Sequence, residues 1–271
     1  MASVERTCEL LGGRLQSVGV PRCLAAGLRA DGIASVRGLP LLYRDFPARS
    51  QRGTPYRVLL MGGIHGDELS SVSIVFQWME QIGRERFQPF HWRVMPCVNP
   101  DGLLADPPTR VNANGVDLNR NFPSRDWDRE ALKYWRTRTG SDPRRYPGTR
   151  ALSEPESRAL TETIRSFHPD VIVSVHAPYG VLDFDGPQKP PERFGYLHLA
   201  LLGTYPGSLG NFAGLSLPVI TLELPNAGLM PTPAQSERIW TDMLTWLERN
   251  LPRHAPPLYR RLDSEDWKSG G

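Results

Sequence analysis

The stretch Gly62-Gly63-Ile64-His65-Gly66-Asp67-Glu68 constrains this chain more than any other. It follows an apolar run, Tyr56-Arg57-Val58-Leu59-Leu60-Met61, that predicts a buried strand. A histidine and a glutamate three apart at a strand-to-helix turn can aim an imidazole nitrogen and a carboxylate oxygen at one ion, and both are zinc ligands. A catalytic zinc site also needs a third protein ligand and an open position for water. The rest of the chain therefore has to bring a second imidazole and a base to the same edge of a sheet.

His176 is the candidate third ligand. It closes the apolar run Val171-Ile172-Val173-Ser174-Val175, and in open α/β sheets ligands gather at the carboxyl ends of strands. Alone, a histidine closing a strand is more often structural. In a chain with only six histidines, beside His65 and Glu68, the ligand reading is the better one. Glu223 is the candidate base, a lone carboxylate near the end of Leu217-Pro218-Val219-Ile220-Thr221-Leu222-Glu223-Leu224-Pro225. An unpaired charge buried there is unfavourable, so the group needs a partner or a raised pKa, and both suit proton transfer. The competing reading is a strand-end glutamate paired with an arginine.

Between the ligand segments lies Arg110-Val111-Asn112-Ala113-Asn114-Gly115-Val116-Asp117-Leu118-Asn119-Arg120-Asn121-Phe122-Pro123. Arg110 and Arg120 can form a fork for a carboxylate and a donor for a developing oxyanion. A polar loop tied down by asparagines is the alternative, but Val116 and Leu118 anchor the segment beside buried structure.

The wider chain alternates strands and helices. Residues 1 to about 20 read as a basic-amphipathic helix, and the segment from about 33 to 47, with its apolar patch Leu39–Tyr43, suggests an edge strand. Glu68–Ile82 presents Leu69, Val72, Phe76 and Met79 on one helix face, and Trp92–Val98 is a second strand closed by the turn Asn99-Pro100-Asp101-Gly102. Residues 103–150 are polar with little periodicity and read as a long site-bearing segment. Ser153-Glu154-Pro155-Glu156 has the form of a capping box opening a helix that ends at His168-Pro169-Asp170, and Ser236–Leu251 is a closing helix. The pattern predicts one α/β domain, a three-layer α/β/α sandwich around a mixed, mostly parallel twisted sheet. Residues 1–50 form an extension packed on it, 51–253 the catalytic domain, and 254–271 a Pro-rich tail.

A net charge of +3 is too small to argue for nucleic acid. The pairs Arg144-Arg145 and Arg260-Arg261 read as solvated surface. No run of 18 apolar residues predicts a membrane span. Three cysteines do not make a disulfide framework: Cys97 reads as a core thiol, and Cys8 and Cys23 can pair but read better as two reduced thiols. Glu5, Arg6 and Glu9 break any signal-peptide core. A cytoplasmic location is expected, or a periplasmic one if an export signal has been removed.

In order, His-x-x-Glu, Asn-Pro-Asp-Gly, Asn-Gly-Val-Asp-Leu-Asn-Arg-Asn-Phe, Ser-Val-His and Thr-Leu-Glu resemble the zinc carboxypeptidases of the carboxypeptidase A type over roughly residues 55–250. Within them the chain looks most like the bacterial murein peptide amidases, which cut the γ-D-glutamyl–diaminopimelate bond. The Arg-x-Asn-Ala-Asn string, Ser153-Glu154-Pro155-Glu156 and Pro206-Gly207-Ser208 carry that closer likeness. The resemblance implies one zinc on His65, Glu68 and His176, with Asp117 orienting His65 through its other nitrogen. It implies Arg110 at the scissile carbonyl, Asn119 and Arg120 on the substrate carboxylate, and Glu223 as base and then acid. Tyr205 is the nearest candidate for the mobile tyrosine of many relatives. Leu209 is placed in the specificity pocket, with Asp183 or Asp185 meeting a substrate amino group. A small murein peptide is the expected partner. The alternatives are a carboxypeptidase for α-linked residues, an N-acyl amino acid deacylase of the succinylglutamate desuccinylase or aspartoacylase kind, and a non-catalytic peptide-binding module. No Gly-x-Ser-x-Gly elbow supports a serine hydrolase.

Overall fold

The computed structural model describes residues 2–49, 54–125 and 127–251. Its strands are β1 (Arg44–Phe46), β2 (Arg57–Gly62), β3 (His91–Met95), β4 (Val171–His176), β5 (Val181–Asp185), β6 (Arg193–Phe194), β7 (Leu197–Leu199) and β8 (Val219–Glu223). Its helices are α1 (Val4–Arg14), α2 (Gly19–Ala25), α3 (Leu69–Arg84), α4 (Pro100–Leu103), α5 (Trp127–Arg138), α6 (Pro155–Phe167), α7 (Leu209–Ala213) and α8 (Pro233–Asn250). The strands form one eight-stranded sheet in the order β1-β3-β2-β4-β8-β5-β7-β6. The central four, β3, β2, β4 and β8, run parallel; β1, and β5 against β8, pair antiparallel.

Unbroken apolar runs are what a sheet covered on both faces requires. Along β2, Val58 and Leu60 enter one core with residues of α1, α3 and α8, while Leu59 and Met61 enter a second with α6 and α7. β4 divides likewise, Val171, Val173 and Val175 facing one way and Ile172 the other. The result is the three-layer sandwich expected. Each buried aliphatic side chain contributes about 1.5–3 kcal/mol, so the central strands are the firm part of the frame. The three-residue β1 instead leans on Arg93, which grips Asp45 through two hydrogen bonds of 2.8 Å. No described helix is long and apolar enough to cross a membrane.

The edge strand, Arg44–Phe46, falls inside the expected segment 33–47, just after the apolar patch Leu39–Tyr43. Three local expectations are corrected. The segment 103–150 contains α5, which buries only Trp127 and Ala131 and so leaves no apolar stripe to read. The helix α6 starts without a side-chain cap at Glu154; Glu154 and Glu156 turn instead to Asn112 Nδ2, at 2.7 and 3.0 Å. A complete capping box stands at Thr232 and Gln235, opening α8 three residues before the expected Ser236. The Pro-rich tail, with Arg260-Arg261, lies outside the described residues.

Cys8 and Cys23 are disulfide-bonded rather than reduced, while Cys97 is a buried free thiol. The packing of α1 on α2 brings their Cα atoms to 5.3 Å, within the range a disulfide spans. Alkylation in denaturant without reductant should therefore label one cysteine per chain, and three after reduction. Three labelled cysteines before reduction would contradict the pairing.

Candidate metal centre

Strand register brings the site together. His176 and Glu223 are direct partners at the ends of β4 and β8, and Gly62 ends β2 opposite Val175. Beyond Gly62 the chain turns through Gly63, at φ +60°, and reaches His65 within three residues. Gly66 packs so tightly on the Asn-Pro-Asp-Gly turn that a Cβ would lie 2.2 Å from the carbonyl carbon of Gly102. Asn99 organises that turn, accepting from the Gly102 N–H at 2.9 Å and donating to the Arg110 carbonyl at 3.1 Å. One turn thus seats both the ligand loop and the arginine beside it.

His65, Glu68 and His176 are buried with their donor atoms converged. His65 Nδ1 lies 2.7 Å from Glu68 Oε1, His176 Nδ1 lies 3.1 Å from Glu68 Oε2, and the two Nδ1 atoms are 3.2 Å apart. A tetrahedral ion with bonds of about 2.0–2.1 Å separates its ligand atoms by roughly 3.3 Å, so this donor set fits zinc. Behind each ring, Nε2 is engaged: Asp117 Oδ1 lies 3.2 Å from that of His65, and Ser174 Oγ 3.0 Å from that of His176. Such partners hold imidazoles in the orientation a metal needs. Burial pushes the Glu68 carboxyl up, but the imidazoles of His65 and His176 outweigh it and hold it well below the usual range. Asp117 behaves likewise: Arg110 foremost, then His65, overcome its burial.

Arg110 donates through Nε to Asp117 Oδ2 at 2.9 Å and directs Nη1 toward His65 and Glu68. Its loop is tied down by asparagines, as the structural reading of the segment expected, and anchored by Val116 and Leu118. Asn112 accepts from the Val116 N–H, and Asn121 bridges the Pro147 carbonyl and the Glu154 N–H. Glu223 is buried, and that burial raises its pKa, with His176 pulling the other way. It accepts from the Tyr179 N–H at 3.5 Å, and among the described residues no arginine pairs with it.

Asn119, Arg120, Tyr205 and Leu209 line the same pocket. Asn119 Oδ1 accepts from the Leu209 N–H at 2.8 Å, which leaves its amide NH2 to donate to a ligand. Arg120 is 8% exposed, yet among the described residues no carboxylate pairs with it within 4.0 Å. Its guanidinium lies 4.5 Å from the centroid of the Tyr205 ring. The Tyr205 hydroxyl is donated to the Leu202 carbonyl at 2.9 Å, so Tyr205 serves here as a platform for the arginine. Asp183 and Asp185, on β5, also line the pocket. Burial, and then the charge of Asp183, push Asp185 up to about 6.

Ser174, Tyr179 and Arg145 are among the lining residues that no sequence pattern singles out. Ser174 stands two residues before His176 on the same strand face. Tyr179 follows His176 closely but sits in no recognisable pattern. Arg145 was assigned to solvated surface; its side chain reaches the pocket, while Arg144 donates to Asp67 at 2.6 Å.

The zinc carboxypeptidase family model matches residues 33–185. Murein peptide amidase A of Escherichia coli K12 is 34% identical over 200 residues, covering 70% of this chain and 78% of that protein. The enzyme of the same name from Vibrio campbellii is 33% identical over 199 residues, covering 70% and 77%. Among solved structures, the murein-tripeptide amidase of Escherichia coli O157 superposes with a TM-score of 0.58 at 30% identity, covering 84% of this chain and 94% of that one.

Removing a candidate ligand and removing the candidate base should have different consequences. His176→Ala should lose bound zinc, measured by atomic absorption after dialysis, whereas Glu223→Gln should retain it. Asp117→Asn should weaken zinc binding by about 10–100-fold. Full zinc content in His176→Ala would remove that residue from the site.

Proposed function

This chain belongs to the zinc carboxypeptidase family, and from that premise we propose that it is a one-zinc amidase that releases diaminopimelate from γ-D-Glu–meso-diaminopimelate in murein peptides. The observation that carries this reading is the pocket's division of charge. Asn119 and the buried Arg120 offer donors for a terminal carboxylate, and Asp183 and Asp185 offer acceptors for an ammonium on the same leaving residue. Leu209 and Gly210 lie between these groups, Leu209 donating to Asn119 and Gly210 lying against Asp185. Diaminopimelate carries both charges.

His65, Glu68 and His176 would hold the ion. When bound, zinc supplies Lewis acidity toward the scissile carbonyl and toward water. Glu223 takes the proton from the attacking water and returns it to the leaving amine. Its raised pKa suits both halves of that task. Arg110 donates to the carbonyl oxygen as negative charge builds there, and Asp117 holds the guanidinium in place beforehand.

A second reading has a specific observation behind it. Asp185 would accept the ammonium of a C-terminal lysine equally well, which makes the chain a carboxypeptidase for α-linked basic residues. For the first reading we place the reaction in cytoplasmic recycling of wall peptides. The Cys8–Cys23 bond argues for an oxidising compartment instead. Counting thiols in protein alkylated before lysis separates the two, a free pair meaning the cytoplasm.

Purified protein should release free diaminopimelate from L-Ala-γ-D-Glu-meso-diaminopimelate, and a chelator should abolish release. Glu223→Gln should lower kcat by about 10²–10⁴-fold. Zinc-loaded protein that cleaves only α-linked peptides ending in lysine would overturn the murein reading. The pH dependence follows from Asp185: protonated below about pH 6 it is neutral, and above that it is charged. KM should therefore fall as pH rises through about 6, and Asp185→Asn should flatten that step. A wild-type KM that is constant across this range would contradict the role.

A further inference from the structure

Three arginines, Arg110, Arg120 and Arg145, line one pocket. Two have tasks. Arg110 is bound to Asp117 beside the ligands, and Arg120 stands with Asn119 at the leaving-residue end. The third has none yet. Arg145 has a side chain 38% exposed, and among the described residues its ion-pair partner is Asp142 at 3.7 Å. That is well beyond the roughly 2.7–2.9 Å of a charge-assisted hydrogen bond, so its planar fork is not used up.

Arg145 is nonetheless mounted on a fixed frame. It ends a short 3-10 turn, Pro143–Arg145, which Asp142 caps by accepting from the Arg144 N–H at 2.9 Å. The Trp135 indole N–H donates to the Asp142 carbonyl at 2.7 Å, and the Tyr146 carbonyl accepts from the Asp117 N–H at 2.8 Å. Arg144 ties the turn to Asp67, next to the ligand Glu68. The turn is thus braced against the loop that carries Glu68 and against Asp117. Like charges gathered in a partly enclosed pocket repel, and burial together with the neighbouring Arg110 and Arg145 lowers the pKa of Arg120 against the pull of Asp117. A ligand with two separated negative charges relieves that repulsion.

We propose that Arg145 binds a second substrate carboxylate, on the acyl side of the scissile amide. This rests on the substrate reading above, and it names the group recognised. A D-glutamyl residue linked through its γ-carbonyl keeps a free α-carboxylate. An α-linked glutamyl residue carries its side-chain carboxylate the same number of bonds from the scissile carbonyl. Arg145 therefore selects for the acyl-side charge rather than for the linkage.

The test compares L-Ala-γ-D-Glu-meso-diaminopimelate with its analogue in which the D-glutamyl α-carboxylate is a primary amide. Wild-type, Arg145→Ala and Arg145→Lys proteins are assayed on both, with zinc content measured for each. The wild type should prefer the acid by about tenfold to a hundredfold in kcat/KM, mostly through KM. Arg145→Ala should remove most of that preference, losing far more on the acid than on the amide, and Arg145→Lys should keep part of it. A misfolded variant would lose both substrates alike, and so would one with a merely structural lesion; that result overturns the assignment. Equal wild-type rates on acid and amide would overturn it too, while leaving the substrate reading intact. Cleavage of neither by zinc-loaded wild type would end the substrate reading and this assignment together.

Discussion

Asp117 has no exposed surface, and its two oxygens hold three parts of the site. One accepts from the Asn119 N–H at 3.0 Å and meets His65 Nε2; the other accepts from Arg110. A carboxylate taken out of water is stable only when such partners replace its hydration. The same side chain therefore fixes the orientation of the His65 imidazole, the position of the Arg110 guanidinium, and the backbone that leads to Asn119 and Arg120. Its own N–H is bound to Tyr146, the residue after Arg145, so the basic turn is held from the same point.

The pocket around this carboxylate is organised by unbalanced charge. Arginines cluster on the side of the Arg110–Arg120 loop, and carboxylates on β5. Each set keeps a member without a counter-charge among the described residues: Arg120 lacks a paired carboxylate, and Asp185 is pushed up by its burial and by Asp183. Buried or partly buried charges left in that state are stabilised by a ligand of complementary pattern. A small peptide whose ends carry opposite charges supplies one, which is why the pocket describes its substrate better than any single residue does.

Much of this was legible in the sequence, for identifiable reasons. β2, β4 and β8 are unbroken apolar runs because both faces of the sheet are covered, and His65, His176 and Glu223 stand out because each ends or directly follows such a run. What stayed hidden depends on contacts between distant segments. α5 exposes most of its surface and so carries no periodic stripe. The Cys8–Cys23 pair becomes a bond only once two short helices pack. Arg145 looks like half of a solvated Arg-Arg pair until Arg144 is seen anchored on Asp67. The supposed capping box at Ser153 fails because Glu154 and Glu156 are recruited to hold Asn112, a demand from another part of the chain.

The central claim is that two imidazoles and one carboxylate converge on a single zinc. X-ray absorption at the zinc edge of the loaded protein tests it most directly. Nitrogen and oxygen donors are expected at about 2.0–2.2 Å, with outer-shell scattering from two imidazole rings and none from sulfur. A sulfur ligand at about 2.3 Å, or the absence of imidazole scattering, would contradict it.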